Sequence, residues 1–292
     1  MVRLLSVAAG LSALVIFSSA AAALTVTTDP KGAPESIAAA PDGGLILGSS
    51  SKPVIYRAGK GEIQAKVFID ASAEGNVTFL GVLADASTNT LWACQIGASV
   101  PGNPNRQTVL RSFDLRSGVT KTRWALPGDS NLCNDFTIGP DHALYVSDTA
   151  GARIYQVKPG ATEGALLLEN KPLLTGIDGL TFLDGQLYVN NVLSNQIYRI
   201  PIDASGKAGA PVQIWTDQPI KGPDGMRASN GKLFLAENRN GRASMLTVTG
   251  DIAHVVPVMD GLAAPTAIDP AGDTLWVGDR PNDKAISIPM PK

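Results

Sequence analysis

The chain has 292 residues, 44% of them hydrophobic and 17% charged, and its formal net charge is −2. With no Lys/Arg cluster and no basic run interleaved with aromatics, that balance excludes a protein that tracks a nucleic-acid backbone. The 30 glycines and 20 prolines, together with the lack of any long amphipathic helical pattern, point to short strands joined by tight turns.

Met1-Val2-Arg3, an apolar run from Leu4 to Phe17 and small residues from Ser18 to Ala23 make the three parts of a secretory signal peptide. Cleavage is expected after Ala23, with Ala21 and Ala22 as competing sites, and the apolar run falls short of the roughly 20 residues needed to span a bilayer. The expectation is an exported protein, periplasmic or secreted, with residues 1–23 removed, residues 24–292 forming one domain and no membrane span left. Loss of Arg3 leaves 23 positive against 26 negative groups, a net −3. In an oxidising compartment the two cysteines, Cys94 and Cys133, are a candidate disulfide; the alternative is two buried thiols. Without companion histidines they do not make a zinc site.

From residue 44 onward a motif recurs: a strand of small residues, a Gly/Asp/Asn turn and a second strand led by leucine. The second strands begin at Leu45, Leu91, Leu144, Leu187, Leu233 and Leu275, spaced 46, 53, 43, 46 and 42 residues apart. That period suits one four-stranded propeller blade. Third strands follow, as in Val54–Arg57, Arg153–Gln156 and Gln196–Arg199, and a fourth, such as Val212–Trp215, completes a copy with alternating apolar and polar residues. First strands such as Ile37–Ala40 and Met226–Ser229 carry small side chains, as strands crowded near an axis require. The sixth copy is one strand short, and Leu24–Thr28 is free to supply it. The expected fold is therefore all-β: a six-bladed β-propeller with four-stranded antiparallel blades, its ring closed by the N-terminal strand. A closed ring leaves no sheet edges to protect, so a monomer is expected.

Residues just before the inner strands converge on one mouth of the channel. Aligned on the leucine-led strands, they are Glu35, Asn134, Asp178 and Asp224 in the first, third, fourth and fifth copies, with apolar or neutral residues in the other two. Four oxygen-bearing side chains round an axis suit a hard divalent cation, and a wide, adaptable ring suits calcium better than magnesium. Asp-Gly is also a common turn former, so turn chemistry is the competing account.

These entry segments carry a resemblance. Pro34-Glu35-Ser36-Ile37, Asn134-Asp135 and Pro223-Asp224-Gly225-Met226 make the chain resemble, over nearly all its mature length, the regucalcin and gluconolactonase-like (senescence marker protein) propellers, related to paraoxonase and diisopropyl-fluorophosphatase. The resemblance implies that Glu35, Asn134 and Asp224 hold a divalent metal and that Asp224 is a base or nucleophile beside it. It also implies Asn-Gly in the fourth blade, where this chain has Asp178-Gly179. The departure brings the site to a charge of −3, which a divalent cation leaves at −1.

Loops after the leucine-led strands return to the same mouth with Asp148, Asn190, Asn191, Glu237, Asn238, Arg239, Asp279 and Arg280. Asn190, Asn238, Arg239 and Arg280 are candidate substrate contacts, the arginines through their planar forks unless neighbouring acids pair with them. The segment Gly97–Gln107 is a lid or a simple insertion. A Cys94–Cys133 bridge would fix the turn that bears Asn134. His142 falls in a turn on the opposite face and His254 in an outer strand, so neither is expected to reach the mouth. Two functions follow: a calcium-dependent hydrolase of lactones or related esters, with Asp224 or Asp178 activating water or attacking directly, or a non-catalytic scaffold that binds a protein, peptide or glycan. A quinone-dependent sugar dehydrogenase fits less well, because no histidine is placed at the mouth.

Overall fold

The computed structural model describes residues 23–100, 103–128 and 131–292, so the expected signal segment, Ala23 apart, lies outside the described residues. After β1 (Thr25–Thr27), the strands come in fours. The first repeat holds β2 (Pro34–Ala39), β3 (Leu45–Ser49), β4 (Val54–Ala58) and β5 (Lys66–Asp70). The second holds β6 (Thr78–Asp85), β7 (Thr90–Val100), β8 (Asn103–Asp114) and β9 (Thr120–Ala125), and the third β10 (Cys133–Ile138), β11 (Leu144–Asp148), β12 (Arg153–Val157) and β13 (Ala165–Glu169). The fourth holds β14 (Ile177–Leu183), β15 (Gln186–Asn191), β16 (Gln196–Ile200) and β17 (Val212–Thr216). The fifth holds β18 (Pro223–Ser229), β19 (Lys232–Glu237), β20 (Arg242–Thr249) and β21 (Ile252–Met259), and the sixth only β22 (Pro265–Ala271), β23 (Thr274–Asp279) and β24 (Lys284–Pro289).

Each repeat is an antiparallel meander, and β1 pairs antiparallel with β24 to complete the sixth. The innermost strands β2, β6, β10, β14, β18 and β22 pack each on the next, and β22 packs back on β2. The architecture is thus an all-β propeller. One expectation needs correction: the meanders do not all form separate sheets. Four sheets have four strands, while the fourth and fifth repeats merge into one sheet of eight, because β17 and β21 pair in parallel through Trp215↔Ile252 and Thr216↔Ala253. The join lies at the start of β21, where Trp215 N also donates to the carbonyl of Asp251 and Asp217 N to that of Ala253.

The core lies between neighbouring meanders, where the leucine-led strands are buried on both faces. Between the first and second repeats, Ile46 and Ile55 pack against Phe79, Leu91 and Phe113, all fully or almost fully buried. Nearer the axis, backbone meets backbone. A Cβ at Gly81 would lie 2.1 Å from the carbonyl oxygen of Asn134, and one at Gly179 2.6 Å from that of Asp224. Those glycines are therefore dictated by the next strand round the ring.

The segment Gly97–Gln107, expected to be a loop, largely continues the β7–β8 ladder, with Ala98 opposite Gln107 and Val100 opposite Asn103; residues 101–102 lie outside the described residues. Cys94 on β7 and Cys133 on β10 are joined by a disulfide, their Cα atoms 5.3 Å apart. It ties the second repeat to the third beside Asn134. Gly179→Ala should destabilise the fold by about 1–3 kcal/mol through overpacking, read as a lower urea midpoint with an unchanged slope.

Candidate functional site

Glu35, Asn134, Asp178 and Asp224 do not precede the inner strands. Each is the second residue of one, in β2, β10, β14 and β18. The pairing register of every inner strand breaks there: between Pro34 and Ser36, Cys133 and Phe136, Ile177 and Leu180, and Pro223 and Met226. The strands β6 and β22 break likewise, at Leu80-Gly81 and Thr266. A bulge re-aims a side chain out of the pleat, and here it aims the second residue at the axis. Asp178-Gly179 and Asp224-Gly225 are bulges rather than turns, which corrects the turn-former account.

All four side chains are buried and line one small cavity with Asp135 and Arg227, its volume about 10 Å³ as space open to water centres. Asn134 Nδ2 donates to Asp178 Oδ2 and to Thr149 Oγ1, both at 3.0 Å. Asn238 Nδ2 donates to Asp224 Oδ2 at 3.3 Å. Glu35, only 7% exposed, makes no side-chain hydrogen bond or ion pair among the described residues.

The charges are badly matched. Arg227 Nη1 and Nη2 donate to the two carboxylate oxygens of Asp135 at 2.6 and 2.8 Å, so the one arginine lining the cavity is committed to one of its four acids. Burial first, then the charges of Asp178 and Asp135, pushes the Glu35 carboxyl well above its ordinary range. Burial and then Asp178 and Glu35 do the same to Asp224. Asp178 is raised to about 7 by burial and by Asp135, against the lowering effect of Asn134, Arg227 and Arg280. Deeper along the strands, Asp269 rises to about 6 by burial while its Oδ2 accepts from Ala39 N. Such a set of carboxyls holds protons at neutral pH or gathers a cation. The donors are those a hard cation takes, oxygen from carboxylates and an amide, and the unpartnered Glu35 is what such an ion would satisfy. Even so, among the described residues no three His, Cys, Asp or Glu side chains form a closed metal-binding cluster.

The other expected contacts divide. Arg280 lies close enough to Glu35, Asp178 and Asp224 for its charge to oppose the rise of all three carboxyls, and it makes no ion pair among the described residues. Arg239 is exposed, and Asn238 is half-buried beside Asp224. Asn190, expected to touch substrate, is fully buried with its amide committed to backbone: Oδ1 accepts from Gly179 N and Nδ2 donates to the carbonyl of Asp224. Asp148, Asn191, Glu237 and Asp279, each the last residue of a leucine-led strand, are likewise buried struts. They bind backbone leading into the inner strand of their own repeat, as Asp148 does at Leu132 N and Asp279 at Ala263 N and Ala264 N. His254 pairs with Asp217 on the outer strand β21, away from the mouth.

Sequence reasoning missed Asp135, Arg227 and Asp269. The signal was present: Arg227 is the one cation in an inner strand of small and apolar residues and Asp224, and a buried cation there demands a buried anion.

Fold and site together define an all-β propeller with an acid-lined site at one mouth of its channel. No protein-family model matches the sequence, and no curated protein does. Among solved structures, a gluconolactonase from Xanthomonas campestris is similar, with 16% identity, a TM-score of 0.70 and coverage of 92% of this chain and 89% of that one. A PQQ-bound aldose sugar dehydrogenase from Streptomyces coelicolor gives 16% and 0.64 over 91% and 98%. A catalytically inactive virginiamycin B lyase from Staphylococcus aureus gives 14% and 0.63 over 92% and 99%. The fold is one that gluconolactonase-like propellers share with proteins of other activities.

Two outcomes are expected. Arg227→Met leaves Asp135 buried without its cation and should destabilise the protein by about 3–5 kcal/mol in urea unfolding. In metal-stripped protein the folded state holds a proton on Asp178 that the unfolded chain releases near pH 4. Its stabilising contribution is therefore full below that pH and lost as the pH rises through about 7. Asp178→Asn should raise the melting temperature relative to the parent progressively over that window, and a constant difference would contradict the assignment.

Proposed function

We propose that the chain is an exported six-bladed propeller, each meander one blade, that acts as a monomer and hydrolyses lactones or related esters at a calcium site in the channel mouth. The single observation that carries this is the buried, unpartnered Glu35 facing Asp178 and Asp224 across one cavity. Glu35, Asn134, Asp178 and Asp224 would hold the ion, as the resemblance to gluconolactonase-like and regucalcin-like proteins suggests for three of them. A bound divalent cation supplies Lewis acidity toward an ester carbonyl. Asp224, steadied by Asn238, accepts a proton from water as its oxygen bonds to the acyl carbon. The acyl–oxygen bond then breaks, and the proton passes to the departing alkoxide. Arg280, beside the acids yet in no ion pair among the described residues, orients the substrate's oxygen atoms. Asn190 works from behind by fixing the backbone of Asp224.

A second reading, a non-catalytic scaffold for a protein, peptide or glycan, is favoured by the loose spacing of the carboxylates, which form no closed cluster among the described residues. Calcium titration of the metal-stripped mature protein separates the two. One site, lost in Asp224→Ala and in Glu35→Gln, is expected, with lactone hydrolysis that chelation abolishes and calcium restores. Asp224→Ala should lower kcat by about 10²–10⁴. Absence of calcium binding by the parent protein sinks the hydrolase reading.

A further inference from the structure

The face opposite the channel mouth holds a second cavity, about 400 Å³, between the second and third repeats. It lies within the usual range for small-molecule pockets. Its two walls follow from strand register. Trp92, Ser112 and Thr122 stand side by side across β7, β8 and β9. Ile138, Leu144 and Val157 stand side by side across β10, β11 and β12. A mixed row with an indole thus faces an apolar row across a gap.

One residue widens the gap. At the third-strand position of Ser112, other repeats carry a longer side chain that fills part of the space, and the cavity left at Arg57 is about 280 Å³. Arg57 donates across to the carbonyl of Leu115 and to Asp42, and Arg199 to the carbonyl of Gly250 and to Asp251. Gln156 donates to Tyr145 and Asp141 over a Tyr145–Phe182 ring pair, and Met245 packs in the apolar cluster beside Leu275. The sixth repeat also has serine, Ser287, but β1 covers it, with Leu24 N donating to its hydroxyl. Ser112 has only the hydroxyl of Thr122.

The rim carries a second departure from the repeat. The turn Pro140-Asp141-His142-Ala143 matches Pro41-Asp42-Gly43-Gly44, and Gly43, Gly185 and Gly231 hold this position with positive φ. His142 adopts φ 61° there. Histidine is among the residues that left-handed backbone admits, and it replaces here the glycine of three other repeats, as Asn89 does in the second at φ 51°. The His142 ring and Lys158 both line the cavity, are exposed, and bond to no protein group among the described residues. The indole N–H of Trp92 is also without an acceptor among the described residues. The remaining charges are already engaged: Lys121 donates to the carbonyls of Thr88 and Asn89, and Asp85 accepts from Ser87 and Thr88.

We propose that this cleft binds a small carboxylic acid with an apolar body. Its hydrophobic part lies between Trp92 and the Ile138–Leu144–Val157 row, and its carboxylate accepts from Lys158 and His142. The site is independent of the acid-lined mouth.

Calorimetry with phenylacetate, and with its neutral amide as control, tests this. One site is expected, with the amide bound about tenfold or more weakly, since a charge-assisted hydrogen bond is lost. Lys158→Gln, an exposed change that preserves the fold, should weaken phenylacetate to a similar degree. Ser112→Arg, which puts into the gap the side chain that Arg57 and Arg199 put into theirs, should weaken phenylacetate about tenfold or more. Asp224→Ala should leave it unchanged. Loss of binding in Asp224→Ala would place the acid at the mouth and overturn the proposal. So would amide bound as tightly as acid, unchanged affinity in Lys158→Gln, or no heat with millimolar phenylacetate. If Ser112→Arg fails to fold, Lys158→Gln and the amide decide.

Discussion

Six inner strands packed round one axis bring backbone so close to backbone that few side chains are admitted, most of them where the chain bulges. Gly81 against the carbonyl of Asn134 and Gly179 against that of Asp224 mark the closest approaches. A bulge near the start of each inner strand re-aims side chains toward the channel, as at Glu35, Asn134, Asp178 and Asp224. The same constraint that builds the propeller therefore decides how many functional groups its axis can carry, and from which strands.

That narrow allowance is filled with acids. Glu35, Asp135, Asp178 and Asp224 share a cavity with one arginine, and the arginine is bound to Asp135. Buried like charges oppose folding, and a chain that keeps them holds a site whose groups are already desolvated and aimed before any ligand arrives. The Arg227–Asp135 pair closes the channel below them, joining residues 92 positions apart. It offsets part of the repulsion while leaving Glu35 without a partner.

The sequence made the repeat legible because leucine-led strands and their turns obey local rules. The register of Glu35, Asn134, Asp178 and Asp224 could be read by aligning copies, since all four lie nine or ten residues before the leucine of their repeat. Their setting could not, because a bulge is a relation between two strands and leaves no mark in one. Asp135 stayed hidden as the counterpart of Gly179 and Gly225, and its meaning depends on Arg227 far along the chain. Asp148, Asn191, Glu237 and Asp279 looked like mouth residues for the right reason, their position at strand ends. Whether such a group faces a ligand or its own backbone depends on hydrogen bonds that composition does not encode. The merging of the fourth and fifth sheets rests on two parallel partners at the rim, beyond any pattern in β17 or β21 alone.

The pairing of β1 with β24 gives the ring a buckle. Three ladder pairs fasten it, Thr25↔Ile286, Val26↔Ala285 and Thr27↔Lys284, and the Asp283 carboxylate adds bonds from Lys31 N and Ala33 N, whereas β20 and β21 share seven ladder pairs. A tensile load drawn through β1 falls on those bonds, though not on them alone. Because Thr27 is also bridged to Gln64, such a pull is shared between the last repeat and the first, and the belt is stitched where its two ends meet.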